Sequence, residues 1–256
     1  MLKISSKVLG FYTMTHAIFS PSSSDRWFEC PASAYLNYSA EYTVNIAAAT
    51  GTLIHEMCEM LLKGRLKDIS LEEYWLGKVV DIEDFQIEVT EDMVKCAETY
   101  VEYIFKRKEE LNATMVIEEK VYMDEISDKC FGTADCILIG EDRICVIDLK
   151  SGKWPVEAVK NKQLMIYGVG AFIRYGNENP DITMELTIVQ PRIKNAIKTF
   201  EITTPNLLSW ATQDLKQATD ACDEENPQRV AGDHCRFCAA KTDCDEYKSK
   251  LGEKFG

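Results

Sequence analysis

The stretch Gly132-Thr-Ala-Asp135-Cys-Ile-Leu-Ile139, followed by Ile144-Cys-Val-Ile-Asp148-Leu-Lys150, decides how this chain folds. Each apolar run is too short for a helix and rich in strand-forming residues, so both read as strands. Gly140-Glu-Asp-Arg143 between them has turn composition and makes the pair a hairpin. Asp135 then lies near the start of the first strand, and Asp148-x-Lys150 closes the second. Carboxylates from adjacent strands can converge on a hard divalent cation, because Mg²⁺ and Mn²⁺ prefer oxygen ligands. Lys150, two residues beyond Asp148, projects from the same sheet face. There it can orient an attacking water and help stabilise its hydroxide form. Together these parts describe phosphodiester hydrolysis. An Asp-x-Lys pair alone is also an ordinary charged strand end, so the rest of the chain must decide.

Three further patterns bear on the question. Gln163 and Tyr167 stand four residues apart, on one face of a helix expected over 157–175. Gly51-Thr-Leu-Ile-His55-Glu-Met-Cys-Glu59 sets His55 and Glu59 on one face of another helix. Taken singly, His55 reads equally well as a buried, hydrogen-bonded histidine. Val116-Ile-Glu118-Glu-Lys-Val121 is a strand with an acidic residue inside it. Glu118 on its own would belong to a solvated strand face.

In this order the constellation resembles the RecB-like branch of the PD-(D/E)xK nuclease superfamily. That branch carries Gly-x-x-x-His, a strand Glu, Gly-x-x-Asp, Asp/Glu-x-Lys and Gln-x-x-x-Tyr, and all five occur here, between Ser20 and Tyr247. The resemblance implies an α/β fold with a restriction-endonuclease-like core, a central mixed sheet flanked by helices. It implies that Asp135, Asp148 and the backbone carbonyl of Leu149 hold a metal ion. His55 would be a further ligand, favouring Mn²⁺ over Mg²⁺ because imidazole suits manganese better. Glu118 would reach a second metal or a water. Lys150 would position the attacking water and help deprotonate it, and Gln163 and Tyr167 would position Lys150 or the DNA strand. Glu56 and Glu59 are candidates one layer further out. The implied activity is a metal-dependent DNA exonuclease, 5′→3′, with a preference for single strands.

Ten cysteines refine this reading. Cys58, Cys96, Cys130, Cys136, Cys145 and Cys222 fall on helical or strand patterns and read as packed thiols. Cys235-Arg-Phe-Cys238, Cys244 and the distant Cys30 differ: together they can close a four-thiolate cage for zinc or an iron–sulfur cluster. Spacing does not choose between the two, and His234 competes as a ligand. The arrangement resembles the clasp of RecB-like exonucleases of CRISPR adaptation and of the AddB recombination subunit. That implies a [4Fe–4S] cluster on Cys30, Cys235, Cys238 and Cys244, with zinc as the alternative. The blocks Ser20 to Ala34 and Gly232 to Cys238 also resemble the opening and closing blocks of a phage- and prophage-encoded group. They imply a phage recombination or replication protein as partner and the bacterial host cytoplasm as location. Ser23 or Ser24 is expected to cap the helix that delivers Cys30.

With 46% hydrophobic residues, no repeat and no long linker, the chain reads as one domain over 1–256. Residues 46–222 would form the nuclease core, and 1–45 with 223–256 the cluster-bearing flank. Helices are expected over 24–38, 46–64, 90–112, 157–175 and 204–223. The third carries a core stripe of Met93, Val94, Ala97, Tyr100, Val101, Ile104 and Phe105. Strands are expected near 115–123, 130–139, 143–149, 182–190 and 197–202. Lys3 and Lys7 precede only a short, interrupted apolar run, which is not a signal peptide. No apolar run approaches the roughly 20 residues needed to span a bilayer. A reducing cytoplasm and no membrane partner are therefore expected.

The net charge of −13 is unlike the basic surface of many DNA-binding proteins. Lys150, Lys153, Lys160 and Lys162 nevertheless flank the site, and Arg192, Lys194 and Lys198 either extend a basic track or are ordinary surface residues. Trp154 either stacks on an unpaired base or packs internally. Two other classes compete with the nuclease: a catalytically silent DNA-end-binding recombination module, and an iron–sulfur redox or sensor protein. Metal-dependent cleavage of DNA separates them.

Overall fold

The computed structural model describes residues 17–40, 44–66, 69–177 and 179–255, with side chains up to Lys250. The expectation for the amino-terminal stretch around Lys3 and Lys7 lies outside the described residues. Helices α1 (Ser24–Glu29) and α2 (Ser33–Tyr38) replace the single helix expected over 24–38. Pro31 is the cause: it disfavours helical backbone in the residue before it, and Cys30 adopts φ −134° and ψ 88°. Ser23 occupies the capping position without a side-chain cap; its hydroxyl donates instead to the Ser20 carbonyl at 3.2 Å.

Helix α3 (Ile46–Leu62) is capped by Asn45, whose side chain accepts from the Ala48 N–H at 3.0 Å. A short α4 (Leu71–Trp75) and a hairpin of β1 (Val79–Ile82) and β2 (Phe85–Glu88) follow. Neither is expected from the sequence, because five- and four-residue elements are too brief for a periodic signal. Helix α5 (Glu91–Glu110) buries its expected stripe except at Phe105, which is exposed.

The main sheet contains β3 (Thr114–Tyr122), β4 (Phe131–Ile139), β5 (Arg143–Leu149), β6 (Thr183–Val189) and β7 (Ile197–Thr203), in that order. Only the β5–β6 pair is parallel, and α6 (Lys162–Tyr175) connects those strands, as a parallel crossover requires. This is the mixed α/β sheet flanked by helices that the sequence predicts. Helix α6 begins five residues later than expected, because Asn161 caps it by accepting from the Leu164 N–H at 3.1 Å. The helix expected over 204–223 is α7 (Thr204–Trp210), a π-helical turn over 211–215 and α8 (Lys216–Cys222). A final α9 (Asp245–Phe255) was not expected.

Two apolar layers sandwich the sheet. Trp27, Leu164, Ile166, Val146 and Leu186 belong to the layer under α1, α6 and α7, and Leu53, Met57, Ala97, Cys145 and Ile147 to the layer under α3 and α5. The packed thiols Cys58, Cys96, Cys130, Cys136, Cys145 and Cys222 are all buried, and burial pushes Cys130, Cys145 and Cys222 up to about 12. They are neutral core residues.

Helix α6 lies very close to the sheet. A Cβ at Gly170 would stand 2.6 Å from the Val121 Cβ and 3.1 Å from the Met123 sulfur. Alanine is intrinsically better than glycine in a helix by about 1 kcal/mol, but overpacking a core costs about 1–3 kcal/mol. Gly170→Ala should therefore destabilise the protein, and a rise in the denaturant midpoint would contradict the close packing.

Candidate metal-dependent hydrolytic site

The two faces of the sheet exchange at one level, and the site sits there. Along β4, Ala134 and Cys136 should share a face, yet Ala134 packs in the α6 layer and Cys136 in the α3/α5 layer. Along β3, Ile117 packs with the α3/α5 layer and Val121 with the α6 layer. Between them Glu118 adopts φ 53°, in the left-handed region. The ladder runs Ile117–Cys136 and resumes at Glu119–Ala134, so the omitted pair is Glu118 opposite Asp135. A non-glycine residue held there costs about 1–3 kcal/mol, and such strain clusters at functional sites.

The β4–β5 ladder ends at Cys136–Ile147. Beyond it the Asp135 carboxylate takes over, with Oδ2 accepting from the Leu149 N–H at 2.8 Å. The N–H and C=O of one strand residue point to the same edge, so the Leu149 carbonyl faces Asp135 as well. His55, carried by α3, places Nδ1 3.4 Å from Asp135 Oδ1. Among the described residues, His55, Glu118 and Asp135 form the one group of three such donors whose ligand atoms all lie within 4.8 Å of one another.

Asp148 and Lys150 share a face, as the strand period predicts, with Nζ 3.0 Å from Oδ2. Gln163 closes a ring: its Oε1 accepts from the Lys150 ammonium at 2.7 Å and its Nε2 donates to Asp148 Oδ1 at 3.0 Å. Tyr167 follows one helical turn on, buried, and burial with the nearby Asp148 charge raises the pKa of its hydroxyl. The motif glycines are explained by approach distances. A Cβ at Gly51 would stand 3.2 Å from Ser151 Oγ, and one at Gly132 would stand 2.9 Å from the Pro21 ring and 3.0 Å from the Tyr167 ring. All the predicted site residues from α3, β3, β4, β5 and α6 therefore meet at one end of the sheet. Glu59 stands one layer further out, paired with Lys63 at 2.6 Å, and its charge adds to that of Asp135 in raising Glu118. Lys198 is tied to Glu157 and Arg192 to Asp92, so the expected basic track is scaffold there.

The electrostatics are those of buried carboxylates that hold a histidine and a lysine in their charged forms. Burial works against charge on His55, but Asp135, with Asp148 and Glu118 behind it, outweighs that and lifts its pKa to about 9. Burial, then repulsion from Asp135, raises Glu118 to about 7. Burial also opposes charge on Lys150, yet the contact with Asp148 keeps it above its usual value, as an ammonium. Asp148 itself is pushed up by burial and by Asp135. Its Oδ2 is buried and, despite the nearby ammonium, has no hydrogen bond of acceptable geometry, which leaves a lone pair for another cation.

A pH dependence follows. His55 and Glu118 both have folded values raised above their unfolded ones. Each contributes stability that is fully present below its unfolded value and is lost as pH rises through about 9 and about 7 respectively. The melting temperature of EDTA-treated protein should therefore lose the Glu118 contribution between about pH 4.5 and 7 and the His55 contribution between about pH 6.5 and 9. Mn²⁺ binding should tighten across the latter window as the His55 proton is released. A melting temperature that is flat or rising in EDTA would contradict the coupling.

Backbone and side-chain groups meet the sulfurs of three of the four cysteines singled out in the sequence. The Val230 N–H donates to Cys30 Sγ at 3.4 Å across 200 residues of sequence, and the Gly232 N–H donates to Cys235 Sγ at 3.4 Å. The Asn37 amide donates to Cys238 Sγ at 3.3 Å and accepts from the Ala239 N–H at 2.8 Å. Cys244 is half-buried, with Sγ 3.5 Å from the Glu246 carboxylate. His234 places Nε2 2.8 Å from the carbonyl oxygen of Val230, the residue whose N–H meets Cys30 Sγ.

One residue of the site region escaped sequence reasoning. Gln190, buried just beyond β6, donates to the carbonyls of Gly152 (2.8 Å) and Trp154 (2.7 Å) and accepts from the Val156 N–H (3.0 Å). It pins the loop that follows Lys150. A polar residue ending an apolar strand was the signal available.

Comparison with known proteins assigns the family. The model of the family described as "Protein of unknown function (DUF2800)" matches residues 16–254, and the chain belongs to that family. Among solved structures, the chain is similar to one described as "Putative exonuclease" from Eubacterium rectale. The identity is 14%, covering 92% of this chain and 93% of that one, with a TM-score of 0.48. It is also similar to the structure of SSO0001, at 12% identity over 88% and 96% of the two chains, with a TM-score of 0.33. Likenesses at this level carry no weight for activity, which has to be argued from the site. Among the described residues no helix is long and apolar enough to cross a membrane.

Proposed function

We propose that this protein is a divalent-metal-dependent deoxyribonuclease, an exonuclease that hydrolyses phosphodiester bonds. One observation carries the reading: His55, Glu118, Asp135 and Asp148 converge beside a Lys150–Gln163–Asp148 ring at the end of the sheet. The residues fit a metal ion. The unsatisfied Asp148 Oδ2, the Asp135 carboxylate, the Leu149 carbonyl and His55 are its proposed ligands, and Glu118 would hold a second ion or a water. Oxygen donors with one imidazole suit Mn²⁺, then Mg²⁺. Such an ion, when bound, supplies positive charge to the scissile phosphate and lowers the cost of forming hydroxide from water.

The chain's own residues do the rest. Lys150, kept charged by Asp148, donates to the attacking water or to a phosphoryl oxygen, and Gln163 fixes its direction. The water oxygen bonds to phosphorus, the bond to the adjoining sugar oxygen breaks, and the proton from water passes to solvent. The leaving sugar oxygen takes a proton from solvent and is released as a hydroxyl. The 5′→3′ direction, the single-strand preference and a role in phage DNA recombination or replication in a bacterial cytoplasm rest on the sequence resemblance and complete the proposal.

We further propose a [4Fe–4S] cluster on Cys30, Cys235, Cys238 and Cys244, with zinc as the alternative. N–H groups aimed at three of the sulfurs suit thiolate ligands.

The test is digestion of end-labelled linear single- and double-stranded DNA with Mn²⁺ or Mg²⁺, beside Lys150→Ala. Progressive shortening by wild type alone supports the nuclease, and the label lost first gives the polarity. Equal binding by both proteins without cleavage would instead identify the silent DNA-end-binding module.

A further inference from the structure

We infer that Trp154, Arg236 and Phe237 form a stacking platform for the unpaired bases of single-stranded DNA entering the site. The inference rests on the nuclease reading and names how that site selects its substrate. Trp154 is 77% exposed and Phe237 76%, the two most exposed large hydrophobic side chains among the described residues. The other three tryptophans are inside the fold: Trp27 and Trp75 are buried, and Trp210 stacks on Phe28.

The Arg236 guanidinium bridges the two exposed rings, 5.8 Å from the Trp154 centroid and 5.4 Å from that of Phe237. Both distances lie within cation–π range. Two exposed π faces joined by a guanidinium plane offer stacking surface and positive charge together. Single-stranded DNA matches on both counts: its bases stack on aromatic side chains and its phosphates pair with arginine.

Position supports the assignment. Trp154 is four residues beyond Lys150, within about 14 Å even for a fully extended chain. Gln190 holds that loop by its carbonyls, so the indole is presented on a fixed backbone. Phe237 lines a groove of about 820 Å³ that reaches Lys162, the neighbour of Gln163 at the start of α6. Arg236 and Phe237 lie between Cys235 and Cys238, so the cysteines turn inward while the two residues between them face solvent. The segment that closes the cage thereby forms one wall of the strand's path.

The test is fluorescence anisotropy of a labelled oligothymidylate of about 15 nucleotides and of a blunt duplex, both in EDTA so that no cleavage occurs. Trp154→Ala and Phe237→Ala should each weaken single-strand binding about ten-fold, while duplex affinity is unchanged. Arg236→Gln should weaken it and lower the salt slope by about 0.7. Quenching of tryptophan fluorescence by the oligonucleotide should be lost in Trp154→Ala. Unchanged single-strand affinity in all three variants would overturn the proposal, as would equal losses for both DNAs. The two readings fail separately: wild type that binds through these residues but never cleaves sinks the nuclease and keeps the platform. Wild type that cleaves, with unaltered affinities in the variants, sinks the platform alone.

Discussion

Asp148→Asn should reduce cleavage at least about a thousand-fold and abolish tight Mn²⁺ binding, while Lys150→Ala should lose cleavage to a similar degree and bind Mn²⁺ more tightly. Removing one preorganised group that stabilises transition-state charge costs about 10²–10³ in rate, and loss of a metal ligand adds to that. The opposite metal affinities come from the geometry. Lys150 is a cation 3.0 Å from Asp148 Oδ2, competing for the electrons a metal would use. Its removal leaves two buried carboxylates, Asp135 and Asp148, with one counter-charge fewer. Breaking a buried ion pair costs about 3–5 kcal/mol, so metal-free Lys150→Ala should also be markedly less stable than wild type, and Mn²⁺ should restore much of the difference. Titration calorimetry and thermal melts with and without Mn²⁺ check both statements. Equal metal affinity in the two variants would remove Asp148 from the ligand set.

The second large effect concerns the cysteine assembly. Cys238→Ala should lose visible absorbance and solubility together, and aerobic or chelating treatment of wild type should do the same more slowly. A cage that ties Cys30 to Cys235 closes a loop of about 200 residues, and by chain entropy such a cross-link is worth about 5 kcal/mol. That equals the whole stability of many domains. The short helices on either side, α1 with α2 and the turns around Cys235, have few means of staying together without it. Besides the sulfur contacts, hydrogen bonds across the junction include Ala32 N–H to the Gln228 carbonyl (3.1 Å), Ala239 N–H to the Asn37 side chain (2.8 Å) and the Tyr35 hydroxyl to the Asp223 carboxylate (2.5 Å). A soluble Cys238→Ala protein with a wild-type melting temperature would refute the structural role. Colourless, anaerobically purified wild type with stoichiometric zinc would transfer that role to zinc.

Much of the core was legible beforehand. The five sheet strands coincide with their expected ranges within a few residues, because each is an apolar run bounded by turn or polar residues. The Asp148–Lys150 contact follows from the strand period and the shared face of Gln163 and Tyr167 from the helix period; both are local rules. The carboxylate, histidine and lysine candidates were legible as residue types at motif spacing. The helix breaks were less so. Proline at position 31 is visible in the sequence, but a continuous apolar stripe runs across it, and the cap at Asn161 competes with an equally helical-looking 157–160.

What the sequence determined by itself is therefore the identity of the elements and of the groups that carry charge. Chain-local physics, the periods of helix and strand, is sufficient for that. Tertiary structure alone decided that Glu118 flips into the left-handed region opposite Asp135 and that the sheet exchanges its faces there. It also decided that His55, from a helix 80 residues before Asp135, comes to rest 3.4 Å from it. Strand alternation would have put Ala134 and Cys136 on one face; they lie on two, because the packing of α3 and α5 on one side and α6 on the other outweighs the cost of one strained residue. Only long-range contacts can make that trade, and the concentration of negative charge where the faces cross is its chemical result.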